Sequence, residues 1–188
     1  MTTPILTVAN QITILRMALA PFLVVTVLSH EYTWALVIFA VAGLSDLLDG
    51  LIARWGHQKT TLGAMLDPVA DKILLSSAFV ALTWAADLVA RIPAWLTVIT
   101  LSRDAIIVVS VAVINLTVGR RIFYPSLLGK LSTGMQILTA GVVLALNALG
   151  SDPRATLYLF GVTLLLTVAS ALHYVYLASV HRGGGEAP

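Results

Sequence analysis

The 188-residue chain has no cysteine, and charged residues make up only 11% of it. Without cysteine there is no disulfide framework, no thiolate nucleophile and no Cys-ligated zinc, and the redox compartment cannot be read. Soluble domains carry about 25% charged residues, so this scarcity, with a mean hydropathy of +0.95, excludes an ordinary soluble protein and indicates an integral membrane protein. Acid is scarcer still, with nine Asp and Glu against eleven Lys and Arg, and the formal charge is +2. That slight excess, with a pI near 9.2, raises nucleic acid as a partner, but the cations are scattered among apolar runs and form no stripe. Anionic membrane lipid is the expected partner and nucleic acid is not. The first fifteen residues contain no Lys or Arg, so no cleavable signal is expected there. No internal repeat and no soluble domain is visible.

What is present is a series of apolar segments of the roughly 20 residues needed to cross a bilayer. They run over about 9–29, 33–54, 65–86, 93–116, 127–149 and 155–180. The expected fold is therefore all-α, with six transmembrane helices in a single catalytic domain over 1–182 and a disordered tail over 183–188. Arg54, Lys59, Lys72, Arg120, Arg121, Lys130 and Arg182 fall at alternate connections or the tail, whereas the opposite loops hold only Arg91 and Arg154. Cytoplasmic loops carry the excess cations, which predicts both termini and the acidic cluster on the cytoplasmic side.

That cluster organises the chain. Ser45-Asp46-Leu47-Leu48-Asp49-Gly50-Leu51-Ile52-Ala53-Arg54 and Gly63-Ala64-Met65-Leu66-Asp67-Pro68-Val69-Ala70-Asp71 place four of the nine acids inside apolar surroundings. Carboxylates at membrane depth are costly and mark a site by default. At about 100° per residue, Asp46 and Asp49 share one helix face, and Asp67 and Asp71 share a face of the next. Such hard oxygen ligands suit Mg²⁺ or Mn²⁺ rather than zinc or copper. Two such ions clamp a phosphorus centre during in-line displacement, so phosphoryl-type transfer leads. An ion-coupled transporter is the competing class, but repeated halves with matching broken helices are not seen. A purely structural helix bundle leaves the cost of the acids unexplained.

The surrounding residues admit two readings each. Arg16, in the register Asn10, Thr13, Arg16, either snorkels to head groups or closes one wall of the site. Gly43 suits close helix packing, while Gly50 and Ala53 also let a flat ligand approach the backbone. Arg54 is a lipid anchor or a phosphate clamp. Lys72 is an ion-pair partner or an interfacial anchor. Pro68 falls at the first turns of its helix, where a missing amide costs little. Arg103 and Asp104 either neutralise one another or leave Arg103 for an anionic substrate. His173, Tyr174 and Tyr176 read as an interfacial aromatic belt.

The spacing Asp46-x-x-Asp49-Gly50-x-x-Ala53-Arg54, eight residues, Gly63-x-x-x-Asp67-x-x-x-Asp71 resembles the full signature of the CDP-alcohol phosphatidyltransferase family at all eight of its positions. Asn10-x-x-Thr13-x-x-Arg16 and Gly129-Lys130-x-x-Thr133-x-x-Gln136 extend the resemblance over most of the chain. It implies the six-helix fold of that family and transfer of a phosphatidyl group from CDP-diacylglycerol to an alcohol, releasing CMP. It further implies two metal ions on Asp46, Asp49, Asp67 and Asp71, with Asp71 also the general base. Gly50, Ala53, Arg54, Gly63, Asn10 and Thr13 would receive the CDP-lipid, and Arg16, Arg103, Arg120, Arg121 and Lys130 the acceptor phosphate. A homodimer in a bacterial-type inner membrane is also implied.

For the acceptor, the wording Ala42-Gly43-Leu44-Ser45-Asp46, Leu66-Asp67-Pro68-Val69-Ala70-Asp71-Lys72 and Ser102-Arg103-Asp104 is similar to eukaryotic-type members that use phosphatidylglycerol and form cardiolipin. Members acting on glycerol 3-phosphate often carry another Arg two turns after the fourth-helix Arg. Here Ser110 and Val111 stand there instead. Phosphatidylglycerol is the expected acceptor and glycerol 3-phosphate the alternative.

Overall fold

The computed structural model describes residues 8–56, 61–117 and 127–182, with side chains described over 13–45, 70–109, 127–154 and 156–174. Six helices follow one another: α1 Val8–Leu28, α2 Tyr32–Gly56, α3 Thr61–Trp84, α4 Ala94–Thr117, α5 Leu127–Leu149 and α6 Thr156–Arg182. One 3₁₀ turn, Pro153–Ala155, precedes α6. No strand occurs among the described residues. The helices match the apolar segments to within a few residues, because the charged and Gly/Pro-containing breaks between those segments are also where helices stop.

Two of these ends close in the same way. At the end of α1 the His30 amide donates to the Val27 carbonyl at 3.1 Å, and the Glu31 amide to the Thr26 carbonyl at 2.9 Å. These are the paired bonds of a Schellman cap, and His30 takes its left-handed position at φ 60°. At the end of α5 the Ser151 amide reaches the Leu146 carbonyl at 3.1 Å, and Gly150 fills the left-handed position at φ 61°. Glycine suits that conformation without a Cβ penalty; His30 takes it with one.

The chain divides into two compact units, one of Met1–Ile92 with Ala140–Pro153, the other of Pro93–Thr139 with Arg154–Pro188. In the first, α1 packs against both α2 and α3. Its inner stripe is Thr13, Arg16, Ala20, Leu23 and Val27, all buried, at alternating steps of three and four residues. Ala35, Phe39 and Ala42 form the buried stripe of α2. On α3, Ala70, Leu74, Leu75, Ala78, Phe79, Ala81 and Leu82 are buried over a broader arc. The alanines remove side-chain bulk where backbones approach.

In the second unit α4 packs against α6. Its buried stripes are polar: Thr97, Thr100, Arg103 and Asp104 on α4, Ser132, Gln136 and Thr139 on α5, and Thr156, Thr163, Thr167 and Ser170 on α6. Large apolar side chains such as Ile106, Val108, Leu138, Leu165 and Leu172 are exposed. In water this arrangement would be inverted, whereas in lipid apolar surface has no reason to hide and polar side chains turn inward to one another.

Two helical stretches among the described residues, Leu127–Leu149 and Thr156–Tyr174, are long and apolar enough to cross a membrane. The described parts of α1 and α2, Thr13–Leu28 and Tyr32–Ser45, are apolar as well. The expectation of six spans is thus met at the level of six helices and two clear spans.

Candidate active site

The signature falls on two helices. Asp46, Asp49, Gly50, Ala53 and Arg54 lie in the last three turns of α2, and Gly63, Asp67 and Asp71 in the first three of α3. α3 begins at Thr61, so Pro68 is its eighth residue, past the first turn whose amides lack intrahelical partners. There it withholds the amide that would bond to the Ala64 carbonyl. The side chains of Asn10, Asp46, Asp49, Ala53, Arg54 and Asp67, and the surroundings of Gly50 and Gly63, lie outside the described residues. Arg120 and Arg121 lie wholly outside them.

Asp71 and the inner stripe of α1 are described, and the structure brings them together. Arg16, 2% exposed, donates through Nη1 to Oδ1 of Asp71, whose side chain is 41% exposed. Arg16 is therefore turned inward, and the snorkelling alternative does not apply. Thr13, fully buried one turn earlier, shares that inward register. Among the described residues no group of three acidic, His or Cys side chains is gathered, three of the four signature acids being outside that set. The donor set still fits Mg²⁺ or Mn²⁺: carboxylate oxygens only, borne by two helices that both pack on α1.

A second charged centre lies in the other unit. Arg103 donates through Nη1 to Oδ1 of Asp104 at 2.7 Å and through Nη2 to Oγ of Ser170 at 2.5 Å. Its guanidinium carbon sits 5.9 Å from the centre of the Tyr174 ring, within cation–π reach. Arg103 and Asp104 are 5% and 7% exposed, so mutual neutralisation, one of the two readings of this pair, is what the structure contains. Tyr174 is thereby a partner of Arg103 and not simply a belt residue. Ser170 and Tyr174 were not legible as partners, although Thr163, Thr167 and Ser170, at steps of four and three in an apolar helix, marked an inward polar stripe. That stripe meets α5: Thr139 and Thr163 hydroxyls lie 2.7 Å apart, and Ser132 and Thr167 hydroxyls 3.3 Å apart. Gln136 Nε2 donates to Ser132 Oγ at 3.4 Å. Lys130, one turn before this ladder, is exposed.

An all-helical chain with exposed apolar faces and charges turned inward, bearing a carboxylate series on two helices, defines a class of helical proteins suited to an apolar surround. Residues 6–175 match the family model described as CDP-alcohol phosphatidyltransferase, and the chain belongs to that family. Among curated relatives, it is 35% identical over 187 residues to the cardiolipin synthases (CMP-forming) of Rattus norvegicus and Homo sapiens, covering 90% of this chain and 61% of each relative. It is 36% identical over 186 residues to a Mycobacterium tuberculosis protein named "Probable phosphatidylglycerophosphate synthase", covering 94% of this chain and 83% of that one. The chain thus spans about three fifths of the length of the cardiolipin synthases it matches.

Proposed function

We propose that the chain is a metal-dependent phosphatidyltransferase that moves the phosphatidyl group of CDP-diacylglycerol to a glycerol hydroxyl of phosphatidylglycerol, forming cardiolipin and CMP. The observation that carries this reading is the complete eight-position signature, from Asp46 to Asp71, on two helices that share α1 as packing partner.

Asp46, Asp49 and Asp67, with Asp71 completing the set, would hold two Mg²⁺ or Mn²⁺ ions, which when bound supply positive charge where the pyrophosphate sheds CMP. Gly50 and Ala53 leave the α2 backbone open to the cytidine, and Arg54, with Gly63, Asn10 and Thr13, completes the nucleotide side. Asp71, half-exposed, accepts the proton of the acceptor hydroxyl. The hydroxyl oxygen forms a bond to the phosphatidyl phosphorus as the bond to the CMP oxygen breaks, and CMP leaves with that electron pair.

The cardiolipin reading is supported by the wording of the signature and by the names of the mammalian relatives. It is also supported by Ser110 and Val111, which stand uncharged where members acting on glycerol 3-phosphate often carry a further Arg. The second reading, glycerol 3-phosphate as acceptor, is favoured by the mycobacterial relative, 83% of which the chain covers; Lys130, Arg120 and Arg121 would then supply the charge.

The six helices, of 21 to 27 residues, span roughly 31 to 41 Å at 1.5 Å per residue, enough for each to cross a bilayer. On this reading they form one catalytic domain over 1–182, with 183–188 as a tail, in a bacterial-type inner membrane with the site at the cytoplasmic face, and the enzyme is a homodimer.

The test is CMP release from labelled CDP-diacylglycerol by the purified protein in detergent, with phosphatidylglycerol and glycerol 3-phosphate in separate tubes. Turnover with phosphatidylglycerol is expected, lost on chelation and in Asp71→Asn while that variant still binds donor. Turnover with glycerol 3-phosphate alone would replace the first reading by the second. No CMP release in either tube, with solute uptake in sealed vesicles, would return the site to a transporter.

A further inference from the structure

Arg16 is the most buried charged side chain among the described residues, yet the carboxylate it meets is 41% exposed. That asymmetry is not what mutual neutralisation requires. Sinking a guanidinium into a helix stripe between Thr13 and Ala20 incurs a desolvation cost that pairing with a half-open carboxylate does little to offset. An apolar residue at this place in the stripe would serve packing at least as well. A guanidinium adds direction instead, because its rigid planar fork donates along fixed lines. Its stem is fixed by the close packing of α1 on α2 and α3, so the donor itself does not wander. A carboxylate bonded at Oδ1 to such a donor is restrained in its rotation, so the donor biases how it is presented from α3.

We infer that Arg16 is a positioning residue, which holds the Asp71 carboxylate in the orientation that takes the acceptor's proton, and is not a contact for the acceptor phosphate. The inference rests on the role given to Asp71 above. Misplacing a reacting group by about 1 Å can cost on the order of 100-fold in rate, so the effect belongs in kcat and not in donor binding.

The experiment is a set of variants, Arg16→Gln, Arg16→Lys, Asp71→Asn and the double variant Arg16→Gln/Asp71→Asn, assayed in detergent by CMP release with phosphatidylglycerol. CDP-diacylglycerol binding and thermal unfolding are measured on the same samples. Arg16→Gln should lower kcat by roughly 10- to 100-fold, with KM for both substrates and donor affinity within about threefold of the parent. Arg16→Lys should recover part of the loss, since an ammonium restores a donor but not the fork. The residual rate of Asp71→Asn, read at high enzyme concentration, should not fall further when Arg16→Gln is added, because a positioning residue has nothing left to position.

An equal loss in both backgrounds, or a loss confined to acceptor KM, would overturn the inference. If Arg16→Gln does not fold, Arg16→Lys decides: lowered kcat with donor affinity and melting temperature retained supports positioning, and an unchanged kcat refutes it. Full turnover by Asp71→Asn would remove the role of Asp71 itself, whereas an inactive Asp71→Asn beside a fully active Arg16→Gln would remove only that of Arg16.

Discussion

The two arginines buried among the described residues do different work, and the difference lies in their partners. Arg103 and Asp104 are both nearly inaccessible, adjacent in sequence, and tied further to Ser170 and the Tyr174 ring. This is a closed charge-neutral knot, and removing one side should expose its cost. Asp104→Ala leaves the guanidinium buried without its carboxylate and should destabilise the protein by about 3–5 kcal/mol. Arg103→Met/Asp104→Leu should recover most of that loss, because a well-packed apolar pair is often as stable as the ions it replaces. Thermal unfolding in detergent of Arg103→Met, Asp104→Leu and the double variant measures the coupling, and simple additivity would mean the pair is not a unit. At this scale the sequence announced which residues were unusual, since a charge inside an apolar run is conspicuous. It did not announce whom they meet, because Asp71 lies 55 positions from Arg16 and Ser170 lies 67 from Arg103. Helical period assigns a residue to a face but does not pair faces.

Among the elements, the connection from α3 toward α4 depends on a residue far along the chain. Asn147 of α5 accepts the amides of Val89 and Ala90 through Oδ1 at 2.8 and 3.2 Å, and its Nδ2 donates to the carbonyls of Ala90 and Val143 at 2.8 Å each. The Arg91 guanidinium caps the Ala85 carbonyl at 2.9 Å, and the Ile92 amide returns to the Leu82 carbonyl at 3.1 Å. Residues 85–92 are thus held without regular structure by these bonds, with the Asn147 amide using both its ends. Asn147→Ala would strand two amides and a carbonyl in an apolar setting, at a cost of about 2–4 kcal/mol. Hydrogen exchange at Val89 and Ala90 should accelerate while the amides in the middle of α1 stay protected, and unchanged exchange at both positions would refute the role. None of this was legible beforehand: Asn147 reads as an unremarkable polar residue near a helix end. Helix limits were legible to within a few residues because hydropathy changes sharply there. At the start of α3 the helix opens at Thr61, a few residues before the apolar segment expected from 65, and so carries Pro68 further inside it than the first turn.

For the molecule as a whole, the distribution of polarity is the strongest physical constraint. Polar stripes face inward on α4, α5 and α6, while Leu157, Tyr158, Leu165 and Leu172 stand 65–81% exposed on α6 alone. Such a surface is unstable in water and comfortable in acyl chains. If all six helices cross, Glu31 and Asp152 lie on the same side of the membrane, because the four helices α2 to α5 separate them and an even number of crossings returns the chain. On the positive-inside bias that side would face away from the cytoplasm and position 58, between α2 and α3 in sequence, would be cytoplasmic. The absence of native cysteine makes the test clean. Single substitutions Glu31→Cys, Asp152→Cys and Gln58→Cys can each be treated with a membrane-impermeant maleimide in right-side-out vesicles. Positions 31 and 152 should label in intact vesicles and position 58 only after lysis. Labelling of 31 and 152 from opposite sides would mean that an odd number of the four helices cross, and the carboxylate-bearing helices α2 and α3 would be the first to be reassigned, since their charges make them the costliest to bury in lipid.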